Sequence, residues 1–143
     1  MRQVEDFVDK LKEEYGGLPS FKRLCEEHRI TPVKADIEDG LRGLLVACDS
    51  FALIVLNAKI SYEERRDHSW HELWHFFHSP RQLLRCGHYG RLEERKADLF
   101  AALCRIPCVR PGDNIDTITD RYNVSPWLAK IRIEHELKKL NRS

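Results

Sequence analysis

The chain has 143 residues, 42% of them apolar and 33% charged, and a net charge of +1. That length and balance fit one soluble domain with a substantial core and give no electrostatic case for nucleic-acid or membrane binding. No apolar run approaches the roughly 20 residues of a spanning helix, and the acid-bearing start Met1-Arg2-Gln3-Val4-Glu5-Asp6 lacks the apolar segment of a signal peptide.

Taken in order, Val4 to Tyr15 places Val4, Phe7, Val8, Leu11 and Tyr15 at helical spacing and stops at Gly16-Gly17. Pro19 to Arg29 reads as a short second helix with Pro19 in its first turn, broken by Thr31-Pro32. Val33 to Ile37 is a candidate strand, and Asp39-Gly40 a turn. Leu41 to Cys48 and Phe51 to Leu56 are apolar and β-rich, separated by Asp49-Ser50, which predicts an antiparallel hairpin. Ser61-Tyr62-Glu63-Glu64 has the pattern of a capping box and opens a helix that Pro80 ends. Within it Trp70, Leu73, Trp74 and Phe77 form a core stripe. His68, His71, His75 and His78 run along another side. A loop around Cys86-Gly87-His88-Tyr89-Gly90 leads to a helix over Leu92 to Arg105, which Pro107 stops. Ile115 to Tyr122 is a short helix, and Ser125-Pro126 opens a last one through Leu140. The expected class is α+β: mostly helical, with a small antiparallel sheet packed against the central helix, in a single domain over 1–143. Its parts are N-terminal helices in 1–30, the hairpin and two central helices in 41–106, and C-terminal helices in 113–140.

The chemistry centres on His71-Glu72-Leu73-Trp74-His75, which reads H-E-x-x-H. Residues four apart share a helix face, so His71 and His75 can bind one metal ion, while Glu72 points beside it as a candidate base. A catalytic zinc takes three protein ligands and keeps one position for water. Glu94-Arg95-Lys96-Ala97-Asp98 follows 19 residues after His75 and begins the next helix. Glu94 can complete a His₂Glu set, which suits zinc, and Asp98, one turn on, can accept a hydrogen bond from a ligating imidazole. Glu93 is the competing third ligand, but it has no acidic partner four residues on. Glu72 would then accept a proton from the attacking water and return it to the leaving amine. His78, His88 and Tyr89 are the candidates to line the cleft or to donate to the oxyanion, and His68 is expected at the rim. The five cysteines, Cys25, Cys48, Cys86, Cys104 and Cys108, are odd in number and lack framework spacing, so reduced thiols in a cytoplasmic protein are expected. Cys104-x-x-x-Cys108 with Cys86 does not make a convincing second metal site.

These motifs resemble the ImmA/IrrE-type zinc metallopeptidases, a gluzincin-like group. The likeness runs over roughly residues 40 to 138. It lies chiefly in Arg65 to His78, with His78 matching a further histidine common in that family, and in Glu94-Arg95-Lys96-Ala97-Asp98-Leu99-Phe100-Ala101-Ala102 followed by Pro107. The resemblance implies zinc on His71, His75 and Glu94, with Glu72 as catalytic base. It also implies a narrow-specificity endopeptidase whose target is a helix-turn-helix repressor or an antitoxin in prokaryotic or phage regulation. The chain departs from the pattern at Trp74, where a small residue is usual, at Arg105-Ile106 in place of Leu-Met, and at His68 in place of Thr or Ser. The rival expectation is a catalytically latent zinc-binding module that acts by holding a partner.

Overall fold

The computed structural model describes residues 1–47, 49–78 and 89–142. Among them the order is α1 (Arg2–Tyr15), α2 (Phe21–His28), β1 (Ile30–Ala35), β2 (Gly43–Ala47), β3 (Ala52–Asn57), α3 (Tyr62–His78), α4 (Arg91–Arg105), α5 (Ile115–Tyr122) and α6 (Pro126–Asn141). The fold is α+β, with six helices and one three-stranded sheet among the described residues.

The sheet corrects the expectation of a purely antiparallel one. β2 and β3 form the antiparallel hairpin, with Leu45 opposite Ile54. β1 joins the far side of β3 in parallel, with Ile30 opposite Ala52, so the order is β1-β3-β2 and the sheet is mixed. β3 is therefore the central strand, not an edge. β1 starts at Ile30, three residues before the expected Val33, and so contains Pro32, because an edge strand tolerates a residue with no N–H to donate. Pro19 likewise falls outside α2. Ser20 is the cap there, its hydroxyl accepting from the Arg23 amide at 3.1 Å.

Local signals explain the helix ends. Gly16 closes α1 in the left-handed conformation at φ 70°. The Glu64 amide donates to Ser61 Oγ at 3.1 Å, satisfying one of the otherwise open N–H groups at the start of α3. Asn114 and Thr117 make a full capping box at α5.

α3 is buried along most of its length and packs against α4, with β2 and β3 on another side. The small residues Ala97, Ala101 and Ala102 of α4 are fully buried and allow close approach. Phe7 of α1, Trp74 and Phe100 form an aromatic cluster with ring centroids 5.5–5.7 Å apart. Behind α3, buried Asp67 accepts from Arg105 Nε at 3.0 Å and from the Ser125 amide at 2.7 Å. One carboxylate thus ties α3 to the end of α4 and the start of α6. No helix among the described residues is long and apolar enough to cross a membrane.

Candidate metal centre

His71 and His75 sit one turn apart in α3, and Glu94 and Asp98 one turn apart in α4, Glu94 in its first turn and Asp98 at its middle. The close α3–α4 packing brings the two pairs face to face. His71 Nε2 and His75 Nε2 are 3.3 Å apart. Glu94 Oε1 lies 2.7 Å from His75 Nε2, and Glu94 Oε2 lies 3.4 Å from His71 Nε2. Two nitrogens each about 2.0–2.1 Å from a tetrahedral zinc would be separated by about 3.3 Å. The imidazole pair already has that spacing. Three electron-rich groups converging on one point need either protons or a cation between them, and this donor set fits a divalent metal. Glu93, the competing ligand, points elsewhere and pairs with Lys96 Nζ at 3.2 Å.

The surroundings orient the two imidazoles differently. His71 Nδ1 is 2.7 Å from Asp98 Oδ1. A carboxylate only accepts, so Nδ1 carries the proton and Nε2 faces the centre. His75 Nδ1 has no hydrogen-bond partner among the described residues. The Tyr89 ring instead lies flat on the His75 ring, with centroids 3.5 Å apart and planes within 2°.

Electrostatics follow from this packing. Burial opposes a charge on His71, but the hydrogen bonds to Asp98 and Glu94, with Glu72 nearby, outweigh it and lift its pKa to about 9. Burial acts to raise the Glu94 pKa. Its hydrogen bonds to His71 and His75 hold it far below the usual carboxylate range instead. Without a metal, a proton on His71 supplies the positive charge that the site is built around.

Glu72 is 4% exposed and borders the same centre. Its Oε2 is 2.7 Å from His68 Nε2. Burial lowers the His68 pKa, so this ring is neutral. For Glu72, burial raises the pKa and the His68 hydrogen bond overrides it, leaving an ionised carboxylate. The interaction is thus a neutral N–H donated to a carboxylate. Sequence reasoning placed His68 at the rim and missed this contact. The signal was present in the His68–Glu72 spacing of four, which equals that of His71 and His75.

A cavity of about 300 Å³ opens over the centre, lined by His68, His71, Glu72, Tyr89, Glu94 and Asp98, with Gly40 to Leu44 as its other wall. Asn57 secures that wall by donating to the Leu41 carbonyl at 2.7 Å. A second cavity of about 340 Å³ lies beyond Asp98 toward α6 and contains none of the converging donors.

Of the three cleft candidates, Tyr89 lines the cavity. His78 does not: its ring stacks on Trp74 at 3.6 Å and meets Phe7 at 4.5 Å, and its Nδ1 lies 3.0 Å from the Trp74 carbonyl. Its position ten residues after His68 carries it round the helix into the aromatic packing. His88 lies outside the described residues, as do Cys48 and Cys86. Trp74 is fully buried in the core on the side away from the cavity. Cys25 and Cys104 are buried and Cys108 exposed, all free thiols. No protein-family model matches the chain, and no curated protein sequence matches it.

Proposed function

We propose that the chain is a zinc-dependent endopeptidase of narrow specificity, with His71, His75 and Glu94 as ligands and Glu72 as general base. One observation carries the reading: the convergence of the two Nε2 atoms and the Glu94 carboxylate in an open cavity, with the ionised Glu72 carboxylate beside them. A bound zinc would supply Lewis-acid chemistry, acidifying a water and drawing charge from a substrate carbonyl oxygen.

The chain's own residues would do the rest. Glu72 takes the proton of the attacking water and delivers it to the leaving amine nitrogen. With Oε2 engaged by His68, Oε1 is the oxygen that carries the proton. Asp98 holds His71 in the ligating tautomer, and the Tyr89 face fixes the plane of His75. Tyr89 is the cavity-lining candidate for an oxyanion donor. β2 is an edge of the sheet, and Gly43 and Leu44 border the cavity, so an extended peptide segment can add to that edge through main-chain hydrogen bonds.

The sequence resemblance to ImmA/IrrE-type metallopeptidases supports a helix-turn-helix repressor or an antitoxin as the target. The test is a Glu72→Gln variant, which should keep its metal, lose cleavage and retain its substrate. Proteins that co-purify with it should be cut by the wild type. If the wild type holds such a protein and never cuts it, the chain is a latent zinc-binding module instead.

A further inference from the structure

The His68–Glu72 contact has a use beyond packing. Glu72 is an acceptor only, so His68 Nε2–H must be the donor across 2.7 Å. The bond fixes one carboxylate oxygen and with it the rotation of the other. The His68 ring is itself fixed on two sides. It stacks on His71, with centroids 4.4 Å apart and planes within 19°. Its Cδ2 edge lies against Gly43, where an added Cβ would come within 2.9 Å of it. The position therefore accepts a ring only because β2 carries no side chain there.

The other nitrogen, Nδ1, is buried and has no hydrogen-bond partner among the described residues. Among the described residues the one side-chain hydrogen bond of this ring is to Glu72.

We infer that His68 is a positioning residue: clamped between Gly43 and His71, it holds the Glu72 carboxylate in the orientation from which it exchanges protons. The inference rests on the metallohydrolase reading above and adds to it a link from the edge strand to the base.

A probe that needs no substrate can test it. Acetohydroxamic acid binds an open zinc position as its anion, and its O–H proton passes to a nearby carboxylate. Its affinity for the zinc-loaded protein therefore reports whether a base stands in place, independently of turnover. Calorimetry would compare wild type, E72Q, H68F, H68A and H68Q, with zinc affinity measured in parallel. H68F keeps a ring without the donor, H68A serves if H68F does not fold, and H68Q restores an N–H at similar reach.

Hydroxamate affinity should fall about 10–100-fold in H68F or H68A at unchanged zinc affinity, the usual scale for losing an orienting partner. It should return toward wild type in H68Q, and H68F combined with E72Q should lose no more than E72Q alone. Weakened binding in E72Q with wild-type binding in H68F and H68A would overturn the inference and leave the proposed function standing. A wild type that binds no zinc, or an E72Q that binds hydroxamate as the wild type does, would overturn both.

Discussion

His71 Nδ1 and Asp98 Oδ1, 27 residues apart in sequence, meet at 2.7 Å across the α3–α4 interface. This bond sets which imidazole nitrogen faces Glu94. An Asp98→Asn variant keeps the shape and loses the charge, and its amide can turn a donor toward Nδ1. Zinc affinity should fall about 10–100-fold, as for other partners of ligating histidines. Competition with a chelator of known affinity measures it, and an unchanged value would remove Asp98 from the site.

The pKa of His71 predicts opposite pH responses for the metal-free and zinc-loaded protein. Its value in the folded chain, about 9, exceeds the ordinary 6.5. A raised pKa means that the folded state binds this proton more tightly than the unfolded chain does. The resulting stability is complete below pH 6.5 and is lost as pH rises through about 9. The melting temperature of the metal-free protein should therefore fall between about pH 7 and 9. Zinc must displace the same proton, so its apparent affinity should rise about tenfold per pH unit over that interval. A pH-independent affinity would show that His71 does not release a proton on binding.

Asp67 holds a structural role away from the converging donors. It is fully buried and paired with Arg105 and the Ser125 amide. Removing one partner strands the others in a dry environment. Asp67→Ala should lower stability by about 3–5 kcal/mol, read from urea unfolding with an unchanged slope, and the folded fraction should still bind zinc. A loss under about 1 kcal/mol would mean that water reaches the pair.

Gly43 couples the sheet to α3. A methyl group there meets the Val55 carbonyl oxygen at 2.7 Å as well as the His68 ring. Backbone cannot yield as a side-chain tip can, so Gly43→Ala should cost about 1–3 kcal/mol. A variant as stable as wild type in the same unfolding experiment would show that the hairpin opens without strain.

The helices and the convergence of the four side chains were legible because both rest on one rule, the spacing of four along a helix. It aligned His71 with His75 and Glu94 with Asp98, and helix packing then brought the pairs together. The sheet was less legible. Pairing of β1 with β3 is a long-range choice, and Pro32 looked like a break because the edge position that excuses it does not show in local sequence. His78 continued the histidine stripe numerically, yet the drift of a 3.6-residue turn over ten residues placed it against Trp74 and Phe7. The His68–Glu72 bond could have been found by the same spacing rule.

X-ray absorption of the purified protein tests the proposed zinc ion, held by two imidazoles and one carboxylate. Metal analysis should give one zinc per chain. The absorption fine structure should show only nitrogen and oxygen neighbours at about 2.0–2.1 Å, with the outer-shell pattern of two imidazoles. In Glu94→Gln the zinc content should drop. A sulfur neighbour at about 2.3 Å, a third imidazole, or full zinc occupancy in Glu94→Gln would contradict the assignment.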